Sequence, residues 1–83
     1  MPEEIELTEK NIRKIGTILY KIRQKREVSQ GYMSRKMGKS GSQISLMENN
    51  VKAPNVMNLF LFLKAVNCRL VIILEDTKIE PVR

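Results

Sequence analysis

The stretch KSGSQISLMENN, residues 39–50, decides how this 83-residue chain is interpreted. Its glycine, serines and asparagines are typical of a surface loop, but Ile44 and Met47 lie three residues apart, the spacing of one helix face. Ser40 is a strong helix N-cap residue, and Gln43, three positions later, can reach back to the backbone N–H of Ser40. The stretch therefore predicts a short helix that begins just after Ser40.

A second short helix is predicted immediately upstream, over residues 30–37. Ser29 is its N-cap candidate, Met33 and Met37 lie four apart on its inner face, and Gly38 follows its end, where a positive φ is needed. The downstream helix runs from residue 41 to about residue 49. Two short helices joined by a tight turn are a helix-turn-helix, whose second helix enters the DNA major groove.

Two further helices flank this pair. The first spans about residues 9–26, with Thr8 or Asn11 as its cap, and the last spans residues 56–66 after the cap Asn55. The last helix is apolar nearly all round, which predicts burial on more than one face. The first carries one apolar stripe, formed by Ile12, Ile15, Leu19 and Ile22.

The segment RLVIILED, residues 69–76, predicts a β-strand buried on both faces. Residues 1–8 are interpreted as a polar arm, so the chain offers this strand no second strand, and we expect it to pair with the same strand of another copy. An alternative is that it folds back as a flap on its own domain. The predicted organisation is an arm at 1–8, a helix-turn-helix domain at 9–67, a dimerisation strand at 68–76 and a flexible tail at 77–83.

Composition and charge narrow the class of function. Residues 13–52 carry ten Lys or Arg against two Glu, which suits a polyanion such as nucleic acid. The chain has no His and no phosphate-binding or nucleophile motif, so an enzyme is not expected, nor a cofactor. The single Cys68 forms neither an internal disulfide nor a metal cluster, and no apolar run is long enough to span a membrane. A cytoplasmic protein is expected.

The order of residues resembles the Xre/Cro family of helix-turn-helix regulators, which includes lambdoid phage repressors. The resemblance covers roughly residues 17–67 and rests on SQ at 29–30, MSRKMG at 33–38, the pattern S..QIS..E at 40–48, MENN at 47–50 and Pro54. The segment NCRLVIILED resembles the C-terminal strand of HipB-type antitoxins, a branch of this family in which that strand pairs across the dimer. The implied fold is mainly α: a lambda-repressor-like domain of four helices plus a C-terminal β-strand that pairs across a homodimer.

The resemblance also assigns roles to residues. Gly41 stands where relatives often have Gln or Arg, Leu46 replaces a polar residue and can touch a thymine methyl, and Lys39 replaces a buried aliphatic residue. An ion pair between Arg23 and Glu48 is expected to join the first and third helices. The implied base-reading positions are Ser40, Gly41, Ser42, Gln43, Ser45 and Leu46, and Gln30 is the implied glutamine of the second helix that contacts the DNA backbone or a nearby base. Phosphate contacts are also expected from Arg23, Arg35, Lys36, Lys39 and Lys52.

The function that these features favour is a sequence-specific repressor that binds a palindromic operator in double-stranded DNA as a homodimer. The HipB-like strand favours an antitoxin that represses its own operon, with a cognate toxin as partner. A phage or mobile-element regulator is one alternative, and a protein-interaction module that neutralises a toxin and binds DNA weakly is another. The predicted dimer interface comprises Phe60, Phe62, Leu70, Val71, Ile72, Ile73 and Leu74.

Overall fold

The computed structural model describes residues 3–74, which form four α-helices and a two-stranded sheet. None of these helices is long and apolar enough to cross a membrane. The tail predicted at 77–83 and the end of the strand predicted at 75–76 lie outside the described residues. The elements in chain order are β1 (Glu3–Leu7), a 3₁₀ turn (Ile12–Lys14), α1 (Ile15–Lys25), α2 (Gln30–Met37), α3 (Gly41–Glu48), α4 (Val56–Ala65) and β2 (Cys68–Ile72).

Local hydrogen bonds set the ends of the helices where the sequence predicts them. The Ser29 hydroxyl accepts the Tyr32 N–H at 3.0 Å and so caps α2, while Gly38 has a left-handed φ of 66° at the end of that helix. Ser40 and Gln43 form the predicted capping box at the start of α3. The Asn55 side chain accepts the Asn58 N–H at 2.7 Å and starts α4. These predictions of helix boundaries are confirmed.

The first helix begins later than predicted. The carbonyl of Thr8 accepts the N–H groups of Asn11 and Ile12, so the chain turns there and continues as a 3₁₀ turn before α1 starts at Ile15. Thr8 also accepts the Asn11 N–H through its hydroxyl, at 3.3 Å. Ile12 is exposed as a result, and the buried stripe of this helix begins at Ile15.

The core lies between the four helices. Its fully buried side chains are Leu19 of α1, Met33 of α2, Ile44 of α3 and Phe62 of α4. α1 and α3 cross closely at Gly16, where a Cβ atom would overlap the Met47 carbonyl oxygen. This crossing fixes the orientation of α3 on α1.

The sheet corrects the prediction that the chain holds no second strand. β1 pairs with β2 in parallel, with Ile5 opposite Leu70 and Leu7 opposite Ile72. The helical domain is the crossover that a parallel pair requires. The interpretation of the first eight residues as an arm missed the period-two alternation of EEIEL, which places Ile5 and Leu7 on one face.

One detail of the predicted strand interface also differs. Arg69 and Ile72 of β2 are exposed in the single chain, and burial of both faces of the strand by a second copy stays a prediction. Phe62 has no exposed surface, whereas Phe60 is 63% exposed. The assignment of Phe62 to a dimer interface is wrong, because its side chain is buried in the core of one chain, about 200° around α4 from Phe60.

Candidate nucleic-acid interface

α2 and α3 are joined by a tight turn at residues 38–40. The Lys39 N–H donates to the Ser34 carbonyl at 3.2 Å, and the Ser34 hydroxyl donates to the Lys39 carbonyl. With Gly38 left-handed, these bonds hold the turn in one conformation. The relative placement of the two helices is therefore set by short-range bonds within the turn and by the core beneath it.

α3 has a buried face and an exposed face. Ile44 and Met47 are buried in the core. The exposed face holds Ser40, Gly41, Ser42 and Gln43 at the N-terminal end, with Leu46 41% exposed and Ser45 half-buried. The structure thus brings the six predicted base-reading residues together on one short helix. Gly41 and the small side chains of Ser40 and Ser42 leave the N-terminus of α3 open to an approaching surface.

The oxygen and the nitrogen of the Gln43 carboxamide have different roles at this surface. Its side-chain oxygen Oε1 accepts the Ser40 N–H at 3.0 Å, which completes the capping box. Its Nε2 group has no partner among the described residues and is free to donate. A bidentate contact to adenine uses the amide oxygen as well. While the capping box is intact, Gln43 is therefore suited to acceptor atoms such as guanine N7 and O6 or a phosphate oxygen.

Asn49 is a residue of this surface that the sequence did not single out. Its Nδ2 donates to the Ser45 carbonyl at 2.9 Å and to the Ser45 hydroxyl at 3.2 Å. The hydroxyl keeps its own proton for donation, so Asn49 orients a predicted base-reading group. The sequence signals were its position at the end of α3 and its place in MENN at 47–50, and neither indicated this bond to Ser45.

The basic side chains do not form one cluster. Lys39 and Lys52 line a shallow concavity of about 70 Å³ beside α3, together with Gln43 and Leu46. Lys36 lies in a separate groove between α2 and α4, with its ammonium 5.7 Å from the centre of the Tyr32 ring. Two of the predicted backbone cations therefore adjoin the exposed face of α3, and Lys36 does not.

The predicted ion pair of Arg23 and Glu48 is confirmed. Arg23 Nε and Nη2 donate to the two carboxylate oxygens at 2.6 and 3.0 Å, and both residues are buried, at 7% and 5% exposure. Arg23 Nη1 also donates to the Val28 carbonyl at 2.9 Å. The guanidinium lies 5.4 Å from the Tyr20 ring centre, a cation–π contact that the sequence did not indicate. Burial leaves little of Arg23 for the phosphate contact also expected of it.

Gln30 joins this network from α2. Its Nε2 donates to the Glu48 carboxylate at 3.0 Å, so one carboxylate receives bonds from α1 and from α2. The contact was not predicted, because the sequence assigned Gln30 to the DNA alone. The residue as a whole is half-buried. The network therefore links α1, α2 and α3 on the side of α3 opposite its exposed face.

This arrangement defines the class of protein: a helix-turn-helix domain, with α2 and α3 as the motif and α1 and α4 as its support. The model of the HTH_3 helix-turn-helix family matches residues 19–73, more than half of the chain, and the chain belongs to this family of Xre-like DNA-binding regulatory domains. Such domains are typically non-enzymatic. No curated protein and no solved structure shows significant similarity to the chain. The HipB-type assignment stays a prediction.

Proposed function

We propose that this protein is a transcriptional repressor that binds a palindromic operator as a homodimer. The observation that carries the proposal is that α3 has two different faces. Ile44 and Met47 anchor it in the core, while its opposite face offers small and polar groups and the exposed Leu46 beside two lysines. A buried ion-pair network holds that face rigidly from behind. Rigid presentation of short donors at a helix N-terminus suits entry into the major groove.

Base readout is assigned to the N-terminal half of α3. Ser42 and the free Nε2 of Gln43 supply donors, and the exposed Leu46 supplies an apolar contact for a thymine methyl. Apart from its chain neighbours and the backbone of its own helix, no atom of residues 3–74 lies within 4 Å of the position that a Cβ would take at Gly41, so the missing side chain is not required by the fold. We assign its absence to close approach of the backbone to DNA.

Contacts to the DNA backbone are assigned to cations near the motif. Lys39 and Lys52 adjoin the exposed face of α3 and are the first candidates, with Arg35 and Lys36 as further ones, and the neutral amide of Gln30 is a candidate hydrogen-bond donor. Each phosphate contact releases condensed counterions, so it strengthens binding to any duplex and makes the affinity depend on salt. These residues therefore supply affinity, and α3 supplies discrimination.

The homodimer is proposed to form on the face shared by α4 and β2. Val56 is 86% exposed, Phe60 is 63% exposed, and both line an apolar groove of about 590 Å³ with Leu70 and Ile72 of β2. An apolar groove of this size beside a strand edge supports association with a second copy by antiparallel pairing of β2. A two-fold axis there places two α3 helices for two half-sites about one DNA turn apart, roughly 34 Å.

A binding assay on matched variants tests the DNA proposal. A cognate duplex is first selected from random sequence, and affinities for it and for a random duplex are then measured at several salt concentrations. Gln43→Ala is expected to weaken cognate binding by about 1–3 kcal/mol, with little effect on random DNA. Lys52→Ala is expected to weaken both and to reduce the salt slope by about 1. Equal affinity of the unmodified protein for cognate and random duplexes would overturn the proposal.

We further propose that the repressor is an antitoxin that regulates its own operon, with a phage or mobile-element regulator as the alternative. The resemblance of residues 67–76 to the HipB-type strand and the extent of exposed apolar surface on α4 support this assignment. Co-expression with the product of the adjacent gene tests it: relief of that product's toxicity is expected, with a stoichiometric complex. A complex that forms while operator and random DNA bind alike would instead favour a protein-interaction module.

A further inference from the structure

The outer edge of β1 is the edge that does not pair with β2. Ile73 donates its N–H to the Leu7 carbonyl at 2.9 Å, so the backbone groups of Leu7 point towards β2. Successive residues of a strand point these groups to opposite edges. The carbonyl of Glu6 and the N–H of Thr8 therefore point away from β2, towards the position of a third strand.

The side chain of Asn11 occupies that position. Its Nδ2 donates to the Glu6 carbonyl at 2.8 Å, and its Oδ1 accepts the Thr8 N–H at 2.7 Å. A residue of a parallel neighbouring strand binds the same two groups: the carbonyl of one residue and the N–H of the residue two further on. One carboxamide thus takes the place of a strand residue. The turn at Thr8 holds it there through the backbone of Asn11.

Charge protects the rest of this edge. Glu4 and Glu6 are exposed on the face of β1 that points away from the core. A second β1 strand placed alongside would bring these carboxylates together, which disfavours pairing. Charged side chains on an edge strand are a known defence against edge-to-edge association.

In the described part of the chain, the outer edge of β2 has neither a side chain bound in the position of a further strand nor a pair of like charges. By the same alternation, its outward backbone groups belong to Cys68, Leu70 and Ile72, and within residues 3–74 no side chain hydrogen-bonds to them. The strand carries one charge, on Arg69, and the apolar groove of α4 runs beside it. The two edges of the sheet are therefore unequal.

We propose that Asn11 is an edge-blocking residue that, with Glu4 and Glu6, closes β1 to a further strand, so that a second copy joins only through β2. The inference rests on the homodimer proposed above. A sheet with both edges open would add copies through β2 and β1 in turn and grow without limit. With β1 closed, assembly stops at a four-stranded sheet in which the two β2 strands are central and the two β1 strands form the edges.

Removal of the block in the full chain tests this proposal. The variant Glu4→Gln/Glu6→Gln/Asn11→Ala is compared with the control Glu9→Gln/Glu27→Gln/Asn49→Ala, which makes the same chemical changes outside the strand. Molar mass is measured by light scattering over a range of concentrations. We expect the control to remain a dimer and the test variant to form tetramers and larger species, although both variants gain the same positive charge.

The results of this experiment distinguish failure of the edge block from failure of the homodimer proposal. A test variant with the same mass as the control overturns the edge block. If the unmodified chain is a monomer, the homodimer proposal fails, but a test variant that then dimerises through β1 still supports the block. Adding Ile72→Pro to the test variant removes an outward N–H of β2 and should reduce the larger species to dimers.

Hydrogen exchange of the unmodified chain gives a measurement that does not depend on folded variants. The Thr8 amide is expected to be protected at every protein concentration, because Asn11 binds it within one chain. The Ile72 amide is expected to gain protection only as concentration rises and β2 pairs. A Thr8 amide that exchanges as fast as an exposed loop amide would overturn the proposal.

Discussion

The ion pair behind α3 allows a quantitative prediction. Glu48→Ala removes the carboxylate that accepts two bonds from Arg23 and one from Gln30, and it leaves the guanidinium buried with two donors unpaired. Breaking a buried pair by removing one partner costs about 3–5 kcal/mol. A small domain has a free energy of unfolding of about 5–15 kcal/mol, so the variant should lose a large part of its stability.

The expected change is measured by thermal and chemical denaturation. In a domain of this size each kcal/mol shifts the melting temperature by about 4–8 °C, so Glu48→Ala should melt at least about 12 °C lower. The matched control is Lys25→Ala, which removes the exposed Lys25–Glu3 pair and should change the melting temperature far less. Arg23→Met/Glu48→Leu, which replaces both charges with apolar side chains, should recover most of the lost stability.

Two results would refute this reasoning. If Glu48→Ala and Lys25→Ala lower the melting temperature equally, burial of the pair has no energetic consequence. If the double variant is as unstable as Glu48→Ala, the loss comes from packing at the position of Glu48 and not from an unpaired buried charge.

Three further predictions concern glycine and cysteine positions. Gly16→Ala should destabilise the protein by about 1–3 kcal/mol in urea denaturation, because the added methyl overlaps the Met47 carbonyl. Gly41→Ala should leave the melting temperature unchanged or higher while it weakens binding to the selected duplex; unchanged binding would remove Gly41 from the interface. Burial, and then the Glu3 carboxylate, raise the pKa of the Cys68 thiol. Iodoacetamide should therefore modify it more slowly at pH 8 than in the denatured chain, and Glu3→Gln should speed the reaction in the folded chain.

The residues of the exposed face of α3 and the capping bond of Gln43 could be predicted from the sequence, but the bond from Gln30 to Glu48 behind that face could not. The pattern at 40–46 indicated which side chains face outward. The engagement of Gln43 Oε1 follows from the capping box, so the restriction of this residue to donation was implicit in the same motif. The bond from Gln30 to Glu48 depends on the packing of α2 against α3, which no local pattern specifies.

The sequence by itself determined where α2, α3 and α4 begin, because a cap such as Ser29 or Ser40 bonds to a backbone group only three residues away. Such bonds join residues that are close in sequence, so residue types alone predict them. Only the tertiary structure decided the pairing of β1 with β2, which brings together residues from opposite ends of the described chain. It also decided that Phe62 fills the core while Phe60 faces outward, because the direction from which the other helices approach α4 selects the buried face.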